Sequence, residues 1–391
     1  MDKKYIISKL KRFCGFIAGI VFYVSGLLKL MDPTGAGLVV DEYLSFMHIS
    51  FLDFSAEFVG TAAAFAETMI GAALITGVWR RLASMAAFCL QTFFTLLTIA
   101  LVIFNPEMDC GCFGEAIHLT HMETFLKNIV LCVLLCAYFF PEKMLGEPKA
   151  KKYVTFAAVT TSVVAFMAYS WMYIPLVDYT AYKPGAVLKA SEAAPAEEAF
   201  EAVFIYEKDG KEETFDLEHL PDSTWTFVRT ETVAAAGSAA EDMVDLSFYD
   251  GDGEYMDETA TDGKVMVVSL YRSDIGARKW EEISEFVQNA EAAGFKAIVL
   301  AADVPADTHG LEVYTADYKT LLAMNRSNGG ITYFSDGNLI RKWAFRARPD
   351  MERLNELYNE DATETVIYHN AKGSLAFQGF LLYVFAVMLL L

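Results

Sequence analysis

The sequence predicts a membrane α-helical bundle carrying an α/β domain on the outer side of the bilayer. Three observations predict it. The chain has 391 residues, 54% of them hydrophobic, with apolar runs near 13–31, 57–78, 82–104, 123–141, 153–174 and 374–391. Each run is close to the roughly 20 residues that cross a bilayer as a helix. The net charge of −20 is uneven: residues 1–174 hold 13 Lys+Arg and 13 Asp+Glu, residues 175–391 hold 18 and 38. Between the fifth and sixth runs the pattern changes to short strands and amphipathic helices.

The spans take their orientation from basic residues. Lys3, Lys4, Lys9, Lys11 and Arg12 precede the first span, which is long enough to remain as an anchor. Arg80 and Arg81 separate the second and third. Lys143, Lys149, Lys151 and Lys152 separate the fourth and fifth. The opposite loops, 32–56 and 105–122, contain neither Lys nor Arg. Positive residues stay on the cytoplasmic side, so the N-terminus is expected in the cytoplasm and residues 175–373 outside. The expected location is the inner membrane of a diderm bacterium, with 175–373 in the periplasm. Lys127 lies near an end of the fourth span and is expected to snorkel.

The expected division is a four-helix module over 1–145, a fifth helix in 146–182, a linker and β-rich extension over 183–244, an α/β domain over 245–365 and a last span in 366–391. The linker, 183–202, reads as extended and mobile. Alternating runs at Ala202–Tyr206 and Trp225–Glu231 read as strands, with a turn at Lys208-Asp209-Gly210. Leu246–Tyr249, Lys264–Tyr271 and Ala297–Ala301 read as further strands. Arg278–Ala293 is an amphipathic helix with Trp280, Ile283, Phe286 and Val287 on its apolar face. Tyr318–Asn325 and Pro349–Tyr358 are short helices flanking a hairpin, Ile331–Phe334 and Leu339–Phe345. Asp250-Gly251-Asp252-Gly253 reads as a turn; it lacks the twelve-residue calcium-loop pattern. An acidic domain argues against nucleic acid and anionic lipid as partners; the bilayer itself is the expected lipid partner.

All six cysteines fall in the membrane portion. Cys110 and Cys112, in Met108-Asp109-Cys110-Gly111-Cys112-Phe113-Gly114, are the candidate catalytic pair. A disulfide across one residue would close a tight ring, and strained or exposed disulfides are labile. Asp109 and Glu115 disfavour a thiolate. A static disulfide or two idle thiols is the plain alternative. A weaker alternative is a metal site of Cys110, Cys112, His118 and His121, whose donors suit Cu(I) or zinc; the histidines read more simply as solvated loop residues. Cys132 and Cys136, one turn apart, form a candidate second thiol pair that could relay electrons to a quinone; packing is the simpler reading. Glu67, about ten residues into the second span, is a costly buried charge with Lys29 as its expected partner. It is a candidate for proton or quinone-site chemistry, or an interhelical salt bridge.

The membrane portion resembles the DoxX/MauE group of four-helix membrane proteins. The likeness rests on Ser25-Gly26-Leu27-Leu28-Lys29 with Asp32-Pro33, then Glu67, Gly71 and Gly77 before Arg80-Arg81. Cys110-Gly111-Cys112-Phe113-Gly114 is similar to the MauE branch, linked to maturation of a disulfide-rich periplasmic enzyme. Residues 245–358 resemble the thioredoxin fold, in its TlpA-like branch, by element order and by Phe334-Ser335-Asp336-Gly337. Where that family has Cys-x-x-Cys this chain has Arg272-Ser273-Asp274-Ile275, and where it has a cis-proline this chain has Gly329-Gly330. The resemblance therefore implies the fold and client binding for this domain, without its thiol chemistry.

The resulting expectation is thiol–disulfide handling in the envelope through Cys110 and Cys112, as oxidoreductase or relay, with an envelope client or redox partner. The alternatives are a non-catalytic membrane scaffold whose thioredoxin-like domain binds a partner, and a Cys/His metal-binding membrane protein.

Overall fold

The six apolar runs are helices in a computed structural model that describes residues 3–106, 108–139, 148–188, 200–208, 211–215, 225–234, 243–305 and 307–390. All six are long and apolar enough to span a bilayer, and the protein is a multi-pass membrane protein. The helices of the membrane portion are α1 (Lys3–Met31), α2 (Pro33–Phe46), α3 (Ala56–Thr76), α4 (Arg80–Phe104), α5 (His121–Phe139) and α6 (Ala150–Met172), with a short extended stretch β1 (Cys112–Glu115) before α5. The stretch 32–56 was expected to be a loop, yet it contains α2. The signal is local: the Asp32 side chain accepts a hydrogen bond from the Gly35 amide at 2.9 Å, and Pro33 fills the first helical position.

α1 and α3 cross at very short range. A Cβ on Gly71 would lie 2.4 Å from the Tyr23 amide nitrogen, so only glycine permits this approach. Lipid tails are as apolar as leucine, so helices in a bilayer associate through such small-residue contacts rather than through hydrophobic burial. Lys127, expected to reach toward an end of the fourth span, points at the cysteine loop. Its Nζ lies 4.9 Å from the centroid of the Phe113 ring.

The chain then enters the α/β part: β2 (Val187–Leu188), β3 (Phe200–Lys208), β4 (Lys211–Phe215), β5 (Thr226–Ala234), β6 (Met243–Val244), α7 (Glu258–Thr261), β7 (Lys264–Leu270), α8 (Ala277–Ala292), β8 (Lys296–Ala301), β9 (Val313–Thr315), α9 (Tyr318–Met324), β10 (Gly330–Ser335), β11 (Asn338–Trp343) and α10 (Met351–Asn359). The main sheet has the order β6-β2-β11-β10-β7-β8-β9. β7, β8 and β9 are parallel, and β10 is antiparallel to both β7 and β11. One face buries Trp280, Ile283 and Phe286 of α8; the other buries Phe248, Leu321 and Phe334. β3, β4 and β5 form a separate sheet of order β4-β3-β5.

Three expectations need correction. The strand expected at Leu246–Tyr249 is instead Met243–Val244, paired with β2. The amides of Leu246, Ser247 and Phe248 donate to the Asp257 carboxylate at 2.9–3.0 Å, so a side chain takes the place of a neighbouring strand. The linker begins later than expected, because Gly185 and Leu188 donate to Leu339 and Gly337 carbonyls and fix 185–188 to the sheet. Residues 189–199 of that linker, and Asp209-Gly210 of the expected turn, lie outside the described residues. The last helix, α11 (Ala362–Leu390), begins well before the expected 374. It packs on α6 through Phe380, stacked on Phe166 with centroids 4.7 Å apart.

Candidate functional site

The α1–α3 crossing sets the first part of the site. Ser25 and Lys29 are one turn apart on α1 and share a face. Across the crossing, Glu67 of α3 meets both: Lys29 Nζ lies 2.7 Å from Oε2, and Ser25 Oγ lies 2.6 Å from Oε1. Glu67 is 5% exposed. The expected Lys29–Glu67 partnership is therefore formed.

The same Ser25 Oγ lies 2.6 Å from the Cys112 carbonyl oxygen. A hydroxyl has one proton, so Ser25 serves the loop carbonyl and the carboxylate in competition. Tyr43 of α2 donates to the Cys110 carbonyl at 3.2 Å. The cysteine loop is thus pinned by two hydroxyls to helices of the bundle. Between the cysteines, Gly111 has φ +60°, and a Cβ there would lie 2.3 Å from Val39 Cγ1. Only glycine meets both conditions.

Cys110 is buried at 7% exposure, while Cys112 is partly exposed; both thiols are free. Burial, reinforced by neighbouring Cys112 and Asp109, pushes the Cys110 thiol above its ordinary range. Both cysteines, Ser25, Lys29 and Glu67 line one cavity of about 290 Å³ whose other walls are mainly apolar, with Phe22, Phe94 and Leu97 among them. Two candidate sites that are separate in sequence are one site in space.

The other candidates are placed elsewhere. Cys132 Sγ lies 3.8 Å from Thr95 Oγ1, Cys136 is exposed, and neither lines the cavity. His118 Nδ1 lies 2.9 Å from Asp109 Oδ2, and His121 Nε2 lies 3.0 Å from the Met108 carbonyl. Among the described residues no group of three or more His, Cys, Asp or Glu side chains gathers as a metal site would require.

The α/β part reaches this loop. Arg326, after α9, is 5% exposed along its side chain and contacts Asp32 at 2.9 Å and Glu115 at 3.0 Å. Burial opposes its charge, but Asp32 and Glu115 outweigh that and hold the guanidinium above its usual range. Glu115 follows directly on Cys-Gly-Cys-Phe-Gly. Beside Arg326, Asn328 clamps the Arg272–Ile275 turn: its Oδ1 accepts from the Arg272 amide at 3.0 Å and its Nδ2 donates to the Arg272 carbonyl at 2.8 Å. Arg326 carries no local sequence signal, because its partners are 294 and 211 residues away. Tyr43 was missed for the same reason. Ser25 was legible only as a neighbour of Lys29.

A buried ion pair, two thiols and a cavity within a helical bundle define a small polar site in a multi-pass membrane module. Residues 7–141, which take in the first four spans, match the family model of methylamine utilisation protein MauE, and that stretch of the chain is MauE-like. Residues 200–235, which contain β3, β4 and β5, match a domain of unknown function, DUF8463. No curated protein and no solved structure matches the chain.

Proposed function

We propose that the protein handles disulfides in the cell envelope, with Cys110 and Cys112 as donor or relay. The observation that carries this reading is the shared cavity: two thiols in a loop held by Ser25, against the Lys29–Glu67 pair. In the donor direction, a client thiolate attacks the Cys112 sulfur of a Cys110–Cys112 disulfide, and Cys110 leaves as the thiolate. A second client thiolate then attacks the mixed disulfide and releases Cys112. The client loses two electrons and two protons, and the pair gains them as two thiols. A lipid-soluble quinone, accepting two electrons and two protons, fits the apolar walls and polar floor of the cavity as terminal oxidant. Attack falls on Cys112 because it is the less buried of the two residues.

The distribution of Lys and Arg supports an inner-membrane orientation with the N-terminus in the cytoplasm and the cysteine loop and α/β domain in the periplasm. We read that domain as thioredoxin-like. The parallel β7–α8–β8 unit followed by the antiparallel β10–β11 hairpin supports this reading. It has no cysteine, so its part is to hold the loop or the client. The Arg326 contacts favour holding the loop. Single Cys110→Ala and Cys112→Ala variants, expressed in cells and alkylated during lysis, test the proposal. A client should be trapped as a mixed disulfide in the Cys110→Ala protein and absent from the double variant. Absence from every variant would leave the scaffold reading.

A further inference from the structure

A second cavity lies between α6, α11 and the end of β11. It is a groove of about 700 Å³. Its lower wall is apolar, formed by Phe166 and Phe380, which stack on each other, with Leu176 and Ala376. At the last turn of α6, Tyr169 and Tyr173 stack with centroids 5.0 Å apart. Tyrosines at this position mark the level where hydrocarbon gives way to headgroups.

Above that level the lining turns basic. Lys183, Arg326, Arg341, Lys342 and Lys372 line the groove, with Asp178 as its one carboxylate. This reverses the character of the chain, whose net charge is −20. Four of the acids nearby are already committed, while Asp361 and Glu364 lie with Arg341 and Lys372 around an adjoining pocket. Asp178 binds Lys342 at 2.5 Å, and Asp32 and Glu115 bind Arg326. Glu360 is held by Arg353 through both oxygens at 2.6 and 3.0 Å. Arg341 rests on the Trp343 ring, 4.7 Å from its centroid, and Lys372 on the Tyr368 ring at 5.9 Å. Burial, then the nearby Arg353 cation, push the Arg341 guanidinium down to about 10, with Glu360 opposing them.

We propose that this groove binds the headgroup phosphate of an anionic phospholipid through Arg341 and Lys372, with an acyl chain along Phe166 and Phe380. The ligand must be a lipid rather than a free anion because the apolar wall continues directly below the cations. The site does not depend on the cysteine chemistry. A bound lipid would join the α/β part to α6 and α11 at the membrane surface.

The test uses the full chain purified in detergent and titrated with phosphatidylglycerol, phosphatidylcholine or inorganic phosphate, with bound lipid counted by native mass spectrometry and melting followed in parallel. Phosphatidylglycerol should bind at least tenfold more tightly than phosphatidylcholine and raise the melting temperature; inorganic phosphate should do neither. Lys372 is exposed, so Lys372→Gln should fold normally and lose about fivefold of the preference, and adding Arg341→Gln should lose about fivefold more. Arg278→Gln, on the far surface of α8, should change nothing. Equal binding of the two lipids, a preference unchanged in the variants, or a response to inorganic phosphate as large as that to phosphatidylglycerol would each overturn the proposal.

Discussion

Cys110 and Cys112 are chemically different although only Gly111 separates them. Cys110 is buried and its thiol is raised above the ordinary range, so it stays protonated at neutral pH and gains thiolate only as pH climbs past that range. Alkylation of the reduced protein with iodoacetamide at pH 7.5 should therefore modify Cys112 first. The rate at Cys110 should still be rising above about pH 9, the ordinary thiol range. Equal rates at both positions would remove the distinction on which attack at Cys112 rests. Glu67 offers a second test at this scale. Glu67→Gln keeps the shape but leaves Lys29, 14% exposed, without its counter-charge, at a cost of roughly 3 kcal/mol. Adding Lys29→Met should return most of that loss, because it removes the unpaired ammonium; thermal unfolding of the four proteins in detergent measures the coupling. The acid and its partner were legible in the sequence, since a charge that deep must have one. That Cys112 belongs to the same site was not legible, because the link is one hydroxyl, Ser25 Oγ, joining residues 87 positions apart.

At the scale of elements, long periodic segments were readable and short ones were not. All six spans and α8 declare themselves by hydrophobic run or amphipathic period. β9 has three residues, and β2 and β6 have two each, too few to show an alternation. α2 was readable from its Asp-Pro start, but 14 residues of mild hydrophobicity between two strong spans look like a loop. The α1–α3 crossing was signalled by Gly71, whose need for a bare backbone appears only when Tyr23 is set against it. Gly71→Ala should force the helices apart and cost roughly 1–3 kcal/mol, seen as a lower melting temperature. It should also loosen the Lys29–Glu67 pair, so that Glu67→Gln costs less in the Gly71→Ala background than in the wild type. Additive losses would show that the crossing does not set the site.

The whole molecule is defined by how the α/β part sits on the bundle. In sequence the two appear as independent blocks, one neutral and one acidic. In the structure Arg326 joins them by inserting between Asp32, at the end of α1, and Glu115, just after the cysteine loop. Removing the guanidinium strands two carboxylates, one of them 12% and the other 30% exposed. The penalty for Arg326→Ala is therefore about 3 kcal/mol, near the lower end for a buried charge left unpaired. Its location is as informative as its size. The helices of the bundle and the core of the sheet keep their own packing, so the loss should appear as separation of the two parts rather than as unfolding of either. Hydrogen exchange of the full chain in nanodiscs should show faster exchange over residues 108–118 and 325–329 in Arg326→Ala, with β7 and β8 unchanged. Cys112 in the same variant should become more reactive, because Glu115 no longer anchors the end of its loop. Arg326→Lys should recover only part of this, since an ammonium cannot hold two carboxylates with the fixed fork of a guanidinium. If β7 and β8 also lose protection, Arg326 is a general support of the domain and not the joint between its two halves.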